Sequence, residues 1–280
     1  MRTPLLVARN LLKVWLLLLG ACAVLGGVGW LLGGYRVLSV FVFSGLLLGL
    51  AVYWYADRAI LGTVGARELP VGESPALHST IEHLAVRAGI AKPRVYVIRD
   101  GYPRALSAGR GAHTSAIAVS VGLLSLVDPA ELEGVLAHEI AHLRHRDVLV
   151  QAAAVLVAST LVELSRVGGF LQRGLLFVLA PVAAAFVHLL LSPKREYLAD
   201  RAAAEFCDSP HGLADALIRL EQAGELLHFR ASPVTEPLYT LNPFAEEGVA
   251  ALFVTHPPVG ERVKRLRDLD PSWREKLRAA

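Results

Sequence analysis

The residues best suited to chemistry are His138-Glu139-Ile140-Ala141-His142. Two histidines four apart on a helix differ by about 40° around its axis, so both imidazoles leave one face and can grip a single ion. Glu139 is rotated by about 100°, which suits a carboxylate beside a metal, where it can take a proton from a water acidified by zinc. With 10 His and 16 Glu in 280 residues, random placement yields this pattern about 0.02 times.

A hydrolytic zinc site needs a third protein ligand and an open position. His145 stands too far along the axis from His138, about 10.5 Å, to share an ion with it. Glu196 and Asp200 in Lys194-Arg195-Glu196-Tyr197-Leu198-Ala199-Asp200 are again four apart. One of these carboxylates can bind the metal while the other accepts the outer N–H of His138 or His142.

These residues need elements to hold them. Asp128-Pro129 with Glu131 is a helix start, and Leu132, Val135, Leu136, Ile140 and Leu143 supply an apolar face. Leu77 to Ala88 reads as a helix stopped by Gly89, whereas Arg94–Ile98 and 116–121 read as strands. The intervening 101–111 reads as loop or hairpin. Residues 192–280 read as mainly helical, broken at 232–243 and at His256-Pro257-Pro258. The charges at Arg262, Lys264, Arg265 and Arg267 read as a solvated helix face.

The chain is 54% hydrophobic and only 19% charged, with mean hydropathy +0.47, which excludes disorder and suggests a membrane protein. Val14 to Leu32 and Val37 to Ala56 are uncharged over 19 and 20 residues, and 148–162 and 175–191 are further candidate spans. A cleaved signal peptide is disfavoured because a second apolar block follows at once. The positive-inside rule puts both termini and both hydrophilic segments in the cytoplasm, leaving only Arg36, Arg166 and Arg173 of 28 basic residues outside. Trp15, Trp30 and Trp54 read as interfacial anchors. Two cysteines exclude a disulfide scaffold, and a net charge of +3 supports no nucleic-acid partner.

In these motifs the sequence resembles the HtpX family of membrane zinc metalloproteases, HExxH gluzincins of membrane-protein quality control. The likeness runs through two N-terminal spans, 116–147, a hydrophobic hairpin, REYLADRAAAE at 195–205 and THPPVGERVKRL at 255–266. It implies an α+β membrane protein, mainly α, with four transmembrane helices and a cytosolic zincin-like domain carrying a small β-sheet. The expected division is 1–56 (first transmembrane hairpin), 57–147 (protease part), 148–191 (second hairpin) and 192–280 (helical part with the third ligand). The likeness implies one zinc held by His138, His142 and Glu196, with Glu139 as base and polypeptide substrates cleaved at the cytosolic face. His256 is implied to stabilise an oxyanion or to fill the open metal position, and Asp200 stands behind a ligand. Residues 116–121 resemble the edge strand that pairs with substrate. One departure touches substrate positioning: Arg104 stands where relatives carry Asn, and Leu106 replaces an aromatic. The rival expectations are a CaaX-type prenyl-protein endopeptidase and a non-catalytic membrane adaptor with structural zinc.

Overall fold

The structure is a computed structural model and describes residues 3–109, 111, 114–148, 150–151, 193–207, 209–226, 256–270 and 272. It is mostly helical with a small mixed sheet. The expected break at 232–243 and most of the 148–191 hairpin lie outside the described residues.

Helix α1 spans Thr3–Thr63 and is interrupted at Gly33 and Gly34, whose backbone leaves helical geometry, with Gly34 at φ 63°. The two halves double back on each other, since a Cβ on Gly26 would stand 2.8 Å from Val42 Cγ2. Asn10 near its start and Ile60 and Leu61 near its end all touch the rest of the molecule. Among the described residues no helix is long and apolar enough to cross a membrane, so four spans are not established by the structure. Trp15, Trp30, Trp54 and Phe43 on α1 are nevertheless exposed.

Strands β1 (Ala66–Glu68), β2 (Arg94–Ile98), β3 (Ala105–Ala108) and β4 (Ala116–Ser120) form a sheet in the order β1-β2-β4-β3. β2 and β4 are parallel, and the outer pairs are antiparallel. The 101–111 stretch, read as loop or hairpin, carries strand β3, which pairs antiparallel with β4. One expectation is corrected: 116–121 is not an edge strand, the edges being β1 and β3. β4 is interior because it pairs in parallel with β2 on one side and antiparallel with β3 on the other, and Ala-Ile-Ala-Val-Ser is buried at every position. A strand covered on both faces reads as a continuous apolar run, as interior strands do.

Alternation divides the sheet's side chains between two cores. Val95, Val97, Ile117 and Val119 join the main core with the helices, while Ile98, Ala116 and Ala118 pack with Ile60 and Leu61 of α1.

Helix α2 (Pro75–Ala88) ends at Gly89 in the left-handed region, as its composition foretells. The short helix α3 (Val121–Leu126) carries the chain from β4 to α4 (Pro129–His145). α4 begins with a reciprocal capping box between Asp128 and Glu131. Helices α5 (Lys194–Cys207), α6 (His211–Leu226) and α7 (Val259–Arg267) complete the described set, with α5 and α6 packed on α4. Every residue of α4 from Val135 to Leu143 is buried, so α4 is the central helix and not an amphipathic surface one.

α4 and α6 approach backbone to backbone through Gly134 and Gly212. A Cβ on Gly134 would press on Leu213 N and stand 2.7 Å from Leu213 Cα, and one on Gly212 would press on Ala130 O. Rigid backbone on both sides cannot yield as a side chain would. Gly134→Ala is expected to lower stability by about 2 to 3 kcal/mol, read by thermal unfolding. Gly62→Ala, a helical position with open space around it, should be neutral or stabilising in the same assay.

Candidate metal centre and active site

The spacing in α4 aims both imidazoles at one point. His138 Nε2 and His142 Nε2 are 3.1 Å apart, with the rings edge-on at 90°. α5 brings Glu196 to the same point, with Oε2 3.5 Å from His138 Nε2 and Oε1 3.7 Å from His142 Nε2. All three side chains are buried. Ligand atoms about 2.1 Å from one tetrahedral ion sit about 3.4 Å from each other, so these separations suit a metal.

The hydrogen bonds behind the rings make the case sharper. His138 Nδ1 lies 3.0 Å from Asp200 Oδ1, and His142 Nδ1 lies 3.2 Å from Asp147 Oδ2. Each Nδ1–H therefore donates to a carboxylate, which leaves a lone pair on each Nε2. Two lone pairs facing each other at 3.1 Å repel unless a proton or a metal ion sits between them. Glu196 Oε2 is buried and makes no hydrogen bond, with His256 Nδ1 3.2 Å away, whereas Oε1 accepts from Arg195 Nη2 at 2.9 Å. His138, His142 and Glu196 thus form a cluster able to hold a metal ion.

Electrostatics agree with that arrangement. Burial works to raise the Glu196 carboxyl, but His256, His142 and Arg195 outweigh it and hold the group well below the ordinary carboxylate range. Burial works to lower the His142 imidazolium, yet Glu196 and Asp147 outweigh it and push its pKa up to about 10. Without a metal the site therefore keeps a proton where an ion would sit, and binding a cation must expel it.

The remaining residues singled out in the sequence take definite places. Glu139 is buried on α4 between the two histidines in sequence. His256, just before α7, sets Nδ1 3.2 Å from Glu196 Oε2. Asp200 stands behind His138 and not in the ion cluster. His145 is also outside the cluster, with Nδ1 4.0 Å from Asp147 Oδ2. Arg104 turns away into a pair with Asp100 at 2.7 Å.

Two supporting residues were not picked out from sequence, and one was misread. Asp147 reaches His142 because Arg146, at φ 56°, caps α4 in the left-handed region and turns the chain back. Asn10 in turn donates to Asp147. Arg262 is corrected from a solvated charge to a fully buried one, clamping Asp200 through Nε at 2.9 Å and Nη2 at 2.6 Å. Burial works to raise the Asp200 carboxyl, but Arg262 and His138 together outweigh it and hold the group below its ordinary range. A signal was present: Val259, Arg262 and Leu266 share a helix face by their spacing.

Buried His138, His142 and Glu196, with Glu139 beside the first histidine, form a cluster able to hold a metal on this mostly helical scaffold, and its family makes the chain a metalloendopeptidase. The chain belongs to peptidase family M48, whose pattern matches residues 72–270. It is 38% identical over 275 residues to a protease HtpX homolog of Pelotomaculum thermopropionicum, covering 92% of this chain and 98% of that one. A protease HtpX homolog of Pyrococcus abyssi is 38% identical over 264 residues, covering 88% and 91%. The fold is similar to the crystal structure of S. mikatae Ste24p, with TM-score 0.50 and 20% identity, over 93% of this chain and 66% of that chain.

Breaking a buried ion pair strands a charge, and Asp200 has its strongest partner in Arg262. Arg262→Met is expected to cost about 3 to 5 kcal/mol, measured as a fall in thermal stability.

Proposed function

We propose that the protein is a zinc-dependent integral membrane endopeptidase that cleaves misfolded or damaged membrane proteins at the cytosolic face. The observation that carries the zinc reading is the buried His138–His142–Glu196 cluster, with two nitrogen lone pairs facing across 3.1 Å. Two imidazoles and one carboxylate, with a position left for water, are the donor set of zinc hydrolases. Zinc held there supplies Lewis acidity, polarising a carbonyl and lowering the pKa of a water to about 7.

Glu139 is the general base. It takes the proton of the attacking water and delivers it to the leaving amine, so one carboxylate serves both steps. His256, beside Glu196, donates to the oxyanion that develops on the scissile carbonyl. Asp200 and Asp147 hold the two imidazoles in the tautomer that leaves Nε2 free. β3, the sheet edge in contact with α4, offers its backbone to an extended peptide substrate by strand addition.

Membrane insertion is supported by the uncharged runs within α1 and by the large apolar side chains it exposes, which water would not favour. The four parts of the chain then act as one: hairpins at 1–56 and 148–191 in the bilayer, and 57–147 with 192–280 forming the protease beneath it. The count of basic residues supports the cytosolic placement.

A structural zinc in a membrane adaptor is the second reading, because His256 stands close enough to Glu196 to complete a closed site. Activity separates the two. Glu139→Gln should reduce peptide-bond cleavage at least about 1,000-fold while the purified protein keeps one zinc, measured by turnover beside metal analysis. Chelation should abolish cleavage and added zinc restore it; function undiminished by chelator would favour the adaptor.

A further inference from the structure

Asn10 lies in α1, four residues ahead of the apolar run that begins at Val14. It is buried, and it touches the far end of the helix that carries both histidines. Its Nδ2 donates to His145 O at 3.1 Å and to Asp147 Oδ1 at 2.6 Å, across 137 residues of sequence. The other Asp147 oxygen, Oδ2, accepts from His142 Nδ1 at 3.2 Å. A continuous hydrogen-bonded line therefore runs from α1 to a ring of the metal cluster.

The chemistry of this line favours an amide at position 10. Asp147 follows the left-handed cap at Arg146, which turns the chain back beside the end of α4. With one oxygen bound by Asn10, the second is presented to His142 in one orientation. The nearest other ring nitrogen, His145 Nδ1, is 4.0 Å from Asp147 Oδ2, beyond hydrogen-bond reach. An amide donates without carrying charge, so Asp147 keeps its full negative charge for the imidazole. An arginine or lysine there would neutralise Asp147, and an aspartate could not donate at all. The second bond, to His145 O, also satisfies one of the carbonyls left open at the end of α4.

We propose that Asn10 is a positioning residue of the metal centre, acting through Asp147 on His142, and that α1 is thereby mechanically coupled to the site. This rests on the zinc reading above. A displacement of the start of α1 would tilt the His142 ring and weaken the grip on the ion, so the segment next to the bilayer sets how well the site holds its metal.

The test uses the full chain in detergent, in a Glu139→Gln background that removes self-cleavage, with zinc affinity read by competition against a chromophoric chelator. Asn10→Leu and the near-isosteric Asn10→Asp should each weaken zinc binding about 10-fold, as loss of a ligand's outer partner does. Helix content by circular dichroism should be unchanged, and Leu12→Ala, at an exposed neighbouring position, should leave affinity as it was. In an Asp147→Asn background the Asn10 substitutions should weaken binding no further. Should Asn10→Leu not fold, Asn10→Asp decides alone. Affinities within about twofold of the parent, or an equal further loss in the Asp147→Asn background, would overturn the proposal. A parent that binds no zinc would instead defeat the zinc reading itself.

Discussion

Two imidazole nitrogens held 3.1 Å apart and buried are the constraint that organises this molecule. Both deprotonated, they would repel; a proton or a metal ion between them removes that repulsion. They stay in place because each ring is pinned from behind by a carboxylate, and each carboxylate is pinned in turn. Arg262 holds Asp200 for His138, and Asn10 holds Asp147 for His142. The scaffold thus keeps two ring nitrogens in an arrangement that needs a proton or a metal ion between them, and the low-dielectric surroundings strengthen the hold on either.

Keeping four carboxylates, three histidines and an arginine out of water demands dense packing nearby. α4 meets this by being buried without a break from Gly134 to Leu143, with α5 and α6 against it and β3 alongside. The close approach at Gly134 and Gly212 draws α6 in beside the start of α4, and Arg219 on α6 reaches Glu131, the capping glutamate, at 2.9 Å. α5 then presents Glu196 and Asp200 from successive turns, one to the ion and one to the back of a ring. Helix geometry makes that division of labour available on α5 for the reason it does on α4: residues four apart share a face.

Much of this was readable from residues alone. The capping box at Asp128 and Glu131, the stop at Gly89, strand β2 and the break at His256-Pro257-Pro258 are local signals, and each element lies where its signal places it. The strand order was less legible, because pairing partners are set by contacts between separate segments: β3 and β4 are both buried on both faces, yet β3 is an edge and β4 is not. Arg262 looked like one of four surface cations until the face it shares with Val259 and Leu266 turned inward. Asp147 and Asn10 carried almost no signal, since a carboxylate after a helix end and an amide before an apolar run are both ordinary surface features.

Residue types and short spacings by themselves determined that two histidines would share a helix face with a glutamate between them, because helical periodicity acts over four residues. They narrowed the third partner to Glu196 or Asp200 but could not choose, as both spacings are equivalent. Only the packed molecule decided that Glu196 faces the pair and Asp200 stands behind it. That choice depends on how α5 rotates against α4 and on which carboxylate Arg262 reaches from 62 residues away. Contacts of that range arise from the packing of whole elements, and no periodicity along the chain encodes their angle.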